Sequence, residues 1–553
     1  MVRPEIRFLS SGRFRYSLPT GREMSALDRE TISHGISSLD LMEQAALAVF
    51  ACCKVEIFPL YLGRQPRTAL ILVGPGNNGG DGCVVARALQ ENGTQVTLVL
   101  CAEAPKSSEL EVNLKRAAKT GVRMRYLQGE NSSSVLFEPL SSIALTELAQ
   151  DSECIIDALL GSGQATPPRG SIAAGLRAIS NASRDGGKLF LSIDLPTGIH
   201  GDTGEVFDPC FSPAVTVVIE CLKRGMSQYP ARKVCGTLYV VGAGIEHGPA
   251  PRFEIARPET LPNLTREPDT HKGNLGHVWV VAGSRSMPGA AILAANGAVF
   301  SGAGLVTKVT FSGESEGAAS GLLPECLLSH LSARDQGVFQ PGDSEKLCGR
   351  IPKGSSLIIG PGLSVCSSTS EFLSTFLLDL RAVSPKAVVL DADALNIVSQ
   401  NVEKFVPLIE SLPIILTPHP GEAARLLRKE TSAIQCDRYA AVEELLSRTN
   451  AKVAVLKGAS TVIASAEGGY CVLSGNPFMA TGGSGDVLSG MIATLAAQCG
   501  LTSGSALAAA LHGVAGDRII SKRGLGPLPP SLLLREIPVA YSEFCGGNPV
   551  YDQ

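Results

Sequence analysis

The chain has 553 residues, enough for two or more domains of about 150–250 residues each. Hydrophobic residues make up 44% and charged residues 18%, so a large core can be buried. A net charge of −4, a pI near 6.1 and the lack of a long Lys/Arg run give no electrostatic basis for binding nucleic acid or a membrane surface. Abundant glycine (59 residues) with few aromatics suits an α/β protein with many tight turns. The 15 cysteines form no CxxC pair and read as reduced core thiols of a cytoplasmic protein. The histidines form no HExxH or HxxxH pair, which leaves zinc without support. No apolar run approaches the length of a transmembrane helix.

The opening "MVRPEIRFLSSGRFRYS" is basic and has no apolar centre, so it reads as a frayed terminus and a poor secretory signal. "TALILV" (68–73) predicts a buried strand, "GPGNNGGDG" (74–82) a turn, and "DGCVVARALQENG" (81–93) a helix. "TQVTLVL" (94–100) predicts the next strand. "CIIDALLGSG" and "LFLSIDLPTG" each read as a strand ending in an acid, Asp157 and Asp194, followed by a glycine turn. Ligands of open α/β sheets bind outside the carboxyl ends of strands, where both acids and loop 74–82 would fall.

Gly74, Gly76 and Gly79 satisfy G-x-G-x-x-G, a weak dinucleotide signal alone. Asp81 is expected at the helix start, where a carboxylate would compete with a pyrophosphate for the positive pole. Asn77, Asn78 and Asp157 suit a polar ligand or a cation held by oxygens. The plain alternative is a glycine turn followed by a helix N-cap.

The stretch from His247 to Gly273 carries five prolines and no helix or strand period, so it reads as a connection between domains. Beyond it, "HVWVVAGS" (277–284), "SLIIGPGL" (356–363), "AVVLDADALN" (387–396), "PIILTPHPGEAARL" (413–426) and "KVAVLKGAST" (452–461) repeat the strand-to-turn pattern. "GGSGD" (482–486) then precedes an apolar face formed by Val487, Leu488, Met491, Ile492 and Leu495. Glycines at a helix start let backbone amides approach a phosphate. There is no G-x-x-x-x-G-K-[ST], so Asp486 reads as the base that takes a proton from a hydroxyl attacking a terminal phosphoryl group. The alternative is an ordinary N-cap. "GSALAAALHGVAGD" (504–517) predicts a final helix. Asp391 reads more readily as a turn cap than as half of a metal pair with Asp393, whose role stays open.

"LMEQAA" (41–46), "GPGNNGGDG", "DALLGSG" (157–163), "DLPTGIHGDTG" (194–204) and "GTLYVVGAGI" (236–245) resemble, in that order, the NAD(P)HX epimerase family. The resemblance implies a Rossmann-like three-layer domain over residues 1–246. Asn77, Asn78, Gly79, Gly80 and Asp81 would contact the hydrated cofactor. Gly161, Ser162, Gly163, Gln164, Ala165, Thr166 and Pro167 would do so from the second loop. Asp194 would be the acid/base, and K+ would lie at Asn78, Asp157 and Thr197. Thr197 stands where the family usually has Ser.

After a linker at 247–272, "HKGNLGHVWVVAGS", "GAGLV", "IIGPGL", "LDADALN", "TPHPGEAARL", "LKGAST", "GNPFMATGGSGDVLSGMIA" and "LHGVAGD" are similar, in order, to the ADP/ATP-dependent NAD(P)HX dehydratase family. The similarity implies a ribokinase-like three-layer domain over 273–553. Ala290, Gly362, His419 and Asp486 would contact the hydrated cofactor. Lys457, Gly458, Ala459, Ser460, Thr461 and Gly485 would contact ADP or ATP, with Mg2+. Met287 stands where the family usually has an aromatic residue.

The expectation is one chain with two enzymes in series. It would act on NADHX and NADPHX, with no nucleic-acid or membrane partner, as a homo-oligomer. Such fusions are typical of bacteria, which favours ADP as donor. Two rivals are a small-molecule kinase that leaves a stable phosphate ester, and a chain in which one half has become a binding module.

Overall fold

The computed structural model describes residues 5–127, 138–180, 187–263, 266–312, 320–332 and 337–544. The chain divides into two compact units, Met1–Phe253 and Glu254–Gln553. The division falls inside the proline-rich stretch.

Short β-branched runs bounded by glycine and proline form strands because branched side chains fit a pleated, buried surface. In the first unit these are β1 (Ile6–Phe8), β2 (Thr68–Val73), β3 (Gln95–Leu100), β4 (Arg123–Leu127), β5 (Glu138–Leu140), β6 (Cys154–Ala158), β7 (Leu189–Ile193), β8 (Val215–Ile219) and β9 (Thr237–Val241). Their order across the sheet is 1-9-8-7-6-2-3-4-5, and every pairing is parallel. On β2, Leu70 and Leu72 enter one hydrophobic cluster and Ala69, Ile71 and Val73 the other. Alternation between two cores means that both faces are covered, as a parallel sheet requires. The chain runs outward from β2 to β5, then restarts at β6 on the other side of β2. The loops after β2 and β6 therefore meet at a topological switch point, the usual place for a ligand.

Three expectations are corrected in this unit. Ile6–Phe8 is not frayed but forms an edge strand in register with Leu238–Val240. Residues 1–4 lie outside the described residues. The helical run Ser38–Leu62 is long and apolar enough, by length and composition, to cross a membrane. It serves as a core helix, with Ala46, Val49, Cys52, Cys53, Ile57 and Phe58 all buried in the cluster against β2 and β3. The helix after β2 spans Asn77–Glu91, starting four residues earlier than predicted, so Asn77 to Asp81 are helical and the turn is only Gly74–Gly76.

The second unit has β10 (Phe253–Ile255), β11 (His277–Val281), β12 (Leu305–Phe311), β13 (Cys326–Leu331), β14 (Ser356–Ile359), β15 (Ala387–Leu390), β16 (Ile414–Leu416), β17 (Val453–Leu456), β18 (Thr461–Ser465) and β19 (Gly469–Val472). Their order is 10-19-18-17-16-15-14-11-12-13. Strands β13 to β17 pair in parallel through β11, β12 and β14, whereas β18 and β19 add an antiparallel edge. The proline-rich stretch thus contributes a strand, β10, where none was expected. The switch point lies between β11 and β14. The alanine-rich helix Leu501–Arg523 is followed by another, Pro530–Phe544, so it is not the last.

Small residues let two helices cross closely here. A Cβ on Gly297 would stand 2.4 Å from the Val487 carbonyl oxygen, and one on Gly490 would stand 2.1 Å from that of Ala294. The helices Pro288–Phe300 and Ser484–Cys499 are thereby locked together, and their first turns carry Ala290 and Asp486.

Candidate active sites

In the first unit, glycine packing builds the site. A Cβ on Gly74 would lie 1.7 Å from the Leu159 carbonyl oxygen, and one on Gly82 would lie 2.5 Å from Ala158 Cβ. The loops after β2 and β6 can touch only because these side chains are missing. The helix Asn77–Glu91 has Gly76 at its N-cap and no capping side chain. Asp81 sits in its second turn, so it does not occupy the first amides as expected. They stay available to an anion. A Cβ on Gly161 would be 3.3 Å from Asn78 Cβ and 3.9 Å from Asp194 Oδ2, which brings Asn78, Gly161 and Asp194 together. Loop 161–167 is held from behind, because Gln164 Oε1 accepts from the Gly198 amide (2.9 Å) and Gln164 Nε2 donates to the Thr166 carbonyl (3.2 Å).

Asp194 follows β7 with φ 67°, a left-handed conformation costly for a non-glycine residue and frequent at functional sites. Its Oδ1 is anchored by the Lys223 ammonium and by the Ile219 amide (3.2 Å). Lys223 was not singled out from the sequence. Its side chain is 2% exposed, and it also donates to the carbonyls of Ile219 (3.0 Å) and Cys221 (3.2 Å). Burial works against that charge, but Asp194 together with Cys221 and Asp28 raises the lysine pKa. More acids surround the single lysine. Burial and the charges of Asp194 and Glu220 push Asp28 up to about 6. Burial, then Asp194 and Asp28, hold Asp81 well above the carboxylate range. Asp194 is thus an anchored carboxylate whose Oδ2 lies beside Gly161, among acids that readily hold protons.

The expected cation ligands divide. Asn78 Nδ2 donates to the Leu160 carbonyl (2.9 Å), while its Oδ1 is buried with no partner. Asp157 accepts from Leu159 N, Ser192 Oγ, Thr197 N and Thr197 Oγ1 at 2.8–3.1 Å. Those donors fill about four lone-pair sites. Asp157 therefore ties the loop after β6 to the loop after β7, with Thr197 Oγ1 also accepting from the Leu160 amide (3.0 Å).

In the second unit the loops at the carboxyl edge of the strands converge. Gly362 has φ 63°, and a Cβ there would lie 2.8 Å from the Met287 carbonyl oxygen and 3.1 Å from Ala290 Cβ. This places Met287, Ala290 and Gly362 together at the switch point. Met287 is 40% exposed, at the rim. The helix Ser484–Cys499 starts after Gly483 (φ 92°) with no capping side chain, so its amides too are open to an anion. Asp486 lies in that first turn. Burial, then Asp391, push its pKa up to about 6, against the pull of Lys457.

Asp391 is not a turn cap. Its side chain is 1% exposed, accepts from Lys457 Nζ at 2.6 Å and takes a hydrogen bond from Ser489 Oγ on the Asp486 helix. Lys457 Nζ lies 3.4 Å from where a Gly485 Cβ would be, so its ammonium reaches the start of the Asp486 helix. Asp393 is the residue that braces a turn, accepting from the Ser364 amide at 2.9 Å. His419 is the N-cap of helix Pro420–Leu427, with Nδ1 accepting from the Gly421 amide (3.0 Å) and Glu422 returning a bond from the His419 amide (2.8 Å). Nε2, the other ring nitrogen, lies 3.5 Å from Glu422 Oε1. Burial and the cations Lys457 and Arg425 lower the histidine pKa. Burial raises Glu422 to about 7. His512, buried beside Ser484, is lowered to about 4 and stays neutral. Lys223, Asp28, Glu422, Ser489 and His512 escaped sequence reasoning because each lies outside a glycine motif or looks like an ordinary core or helix residue.

Residues 38–225 match the YjeF-related protein N-terminus family, and 278–539 match the NAD(P)H-hydrate dehydratase family. The bifunctional NAD(P)H-hydrate repair enzyme of Thermofilum pendens is 33% identical over 531 residues, covering 94% of this chain and 95% of that protein. The enzyme of the same name from Moorella thermoacetica is 35% identical and covers 94% of this chain and 96% of its own. A Leishmania braziliensis repair enzyme is 31% identical, with 90% of this chain and 89% of that one covered. The fusion therefore also occurs outside bacteria and does not select ADP over ATP. Among solved structures, ADP/ATP-dependent NAD(P)H-hydrate dehydratase from Bacillus subtilis, co-crystallised with ATP/Mg2+, is 28% identical. It covers 52% of this chain and 96% of that one, with a TM-score of 0.42. By its two matched regions and the near-complete coverage of such relatives, the chain belongs to the family of bifunctional NAD(P)H-hydrate repair enzymes.

Proposed function

We propose that the first unit interconverts the R and S forms of NADHX and NADPHX, and that the second dehydrates the S form to NAD(P)H at the expense of ADP or ATP. One observation carries the reading. Each unit sets a carboxylate at the carboxyl edge of its parallel strands, beside a helix start that no side chain caps.

In the first unit, Asp194 is the acid/base. C6 of the hydrated ring bears a hydroxyl and the ring nitrogen, so a bond from C6 to oxygen or nitrogen can break and re-form on the other face with acid/base help and no redox step. Lys223 holds Oδ1, and Oδ2 exchanges the proton beside Asn78 and Gly161. The amides of Asn77 to Gly79 suit the cofactor's phosphates, and loop 161–167 closes over it. Potassium fits Asn78 Oδ1, the open oxygen, while Asp157 fixes Thr197 behind it. When bound, the ion supplies fixed positive charge near the phosphates.

In the second unit, the ring sits by Ala290, Gly362 and His419, and the nucleotide lies along Lys457 to Thr461 and Gly485. Asp486 takes the C6 hydroxyl proton as that oxygen attacks the terminal phosphoryl group. The open amides around Gly485 and the Lys457 ammonium stabilise the charge on the transferring group. Phosphate then leaves from C6 where hydroxide could not, C5 gives up a proton to solvent as the C5–C6 double bond forms, and the dihydropyridine returns. Bound with the nucleotide, Mg2+ would supply charge that neutralises its phosphates. A cytoplasmic homo-oligomer belongs to the same proposal.

The test is absorbance recovery at the dihydronicotinamide band, with both epimers and Mg2+, and ADP, ATP or no nucleotide. Recovery of both epimers only with nucleotide supports two working halves and names the donor. Recovery of one epimer alone removes the epimerase assignment. No recovery, with nucleotide consumed on another alcohol, would make the second half a kinase.

A further inference from the structure

Arg438 is the first residue of helix Arg438–Thr449, and it points inward. It is 4% exposed. Nη2 donates to the carbonyls of Leu456 (2.9 Å) and Lys457 (3.2 Å), at the end of β17. Nη1 donates to Gln435 Oε1 (2.7 Å), and Nε is buried with no partner. Among the described residues no carboxylate pairs with it. The nearest in sequence, Asp437, is spent on the helix cap, accepting from the Ala440 amide at 2.9 Å. The guanidinium lies directly under exposed Gly458: a Cβ there would be 3.2–3.5 Å from its Nη1, Nη2 and Cζ. Gly458 itself has φ 141°, open to glycine alone.

A buried cation without a carboxylate is costly, and proteins normally pair or neutralise it. Here burial lowers its pKa to about 10, which still leaves it charged at neutral pH. The other cation of the loop, Lys457, has its partner in Asp391. One full positive charge therefore remains one backbone layer beneath a glycine loop, fastened to that loop's own carbonyls.

We propose that Arg438 is a positioning residue for the nucleotide polyphosphate: it clamps the Leu456–Gly458 backbone and supplies, from behind, the charge that draws the phosphates onto the loop. This rests on the reading of Lys457 to Thr461 as the nucleotide site. The argument needs no contact between Arg438 and the nucleotide. The ligand class it selects is a nucleoside with two or more phosphates, over the bare nucleoside.

The experiment uses the full chain with Mg2+ and measures binding of ADP and of adenosine by calorimetry, with KM and kcat for ADP in dehydration. Epimerisation by the same preparation checks folding. Arg438→Gln should weaken ADP roughly ten- to hundredfold, as the loss of a charge-assisted interaction does, with adenosine changed less than about twofold. KM for ADP should rise and kcat at saturation should hold within about threefold. Arg438→Lys, which keeps the charge, should recover most of the ADP affinity. If Arg438→Gln does not fold, Arg438→Lys decides alone: ADP affinity within about fivefold of the parent sustains the role of charge, and a larger loss overturns it. Equal losses for ADP and adenosine in Arg438→Gln would reduce the residue to scaffolding and overturn the proposal. Gly458→Val separates the two ideas. If it weakens ADP and Arg438→Gln does not, only Arg438 fails; if it leaves ADP binding intact, the nucleotide assignment of the loop fails.

Discussion

Replacing Lys457 with Met probes the ion pair on which the second site is built. The substitution keeps the length of the side chain and removes the ammonium 2.6 Å from Asp391. Asp391 keeps Ser489 as a partner but is left as a 1% exposed carboxylate without a counter-charge. Stranding a buried charge in this way costs about 3–5 kcal/mol. For a unit of this size that is a fall in melting temperature of roughly 5–10 °C. Calorimetry of the full chain should show it, with epimerisation by the first unit unchanged below the transition. Adding Asp391→Asn removes the second charge while keeping an acceptor for Ser489, and should recover about 2 kcal/mol or more. The same lysine lowers the pKa of Asp486, so its loss should move the acid limb of dehydration to higher pH. A Lys457→Met variant within about 0.5 kcal/mol of the parent would look like a surface substitution and would refute the buried-pair reasoning. So would a double variant no more stable than the single one.

Asp194→Ala should abolish epimerisation and leave dehydration of the S form intact; survival of both activities would remove Asp194 from its role. Lys223→Met should lower epimerisation by about a hundredfold or more, the scale of a misplaced general base, as read by the exchange of pure epimers. Dehydration should fall as pH drops through about 6, because Asp486, raised by burial, must be ionised to accept the proton; Asp486→Asn should stop turnover while ADP still binds. Asn78→Leu should remove any difference between epimerisation in potassium and in choline buffers, since Asn78 Oδ1 is the open oxygen; a persisting potassium effect would place the ion elsewhere.

What the sequence revealed was mostly local. The strand β2, the glycine turn and the acid after β7 could be read because burial, backbone freedom and strand ends leave marks within a few residues. The error at Asp81 is instructive. Glycines look like a turn, yet Gly79, Gly80 and Gly82 are helical, and they are glycine because of what packs on them: a Cβ on Gly79 would meet the Gly74 carbonyl oxygen at 2.3 Å, and one on Gly80 would meet Met42 Sδ at 2.5 Å. A tertiary reason for glycine cannot be told from a conformational one without knowing the neighbour. The same limit hid the ion pairs. Asp194 and Lys223 are 29 residues apart, and Asp391 and Lys457 are 66 apart. Nothing local says that they meet, and "DAD" alone favoured a turn cap.

The two units nonetheless reach a common solution by different means. In each, a largely buried lysine pairs with one acid, while burial raises the pKa of neighbouring acids. In the reading proposed for the first unit, the paired acid, Asp194, is itself the proton carrier. In that proposed for the second, the paired acid, Asp391, stands behind, and the carrier is Asp486, which has no ion-pair partner among the described residues. That difference follows from the chemistry asked of each. Inverting C6 returns the proton it takes, so one anchored carboxylate is enough. Phosphoryl transfer must remove a hydroxyl proton while negative charge gathers beside it, and there a lysine held at Gly485 and an acid with a pKa near 6 serve together.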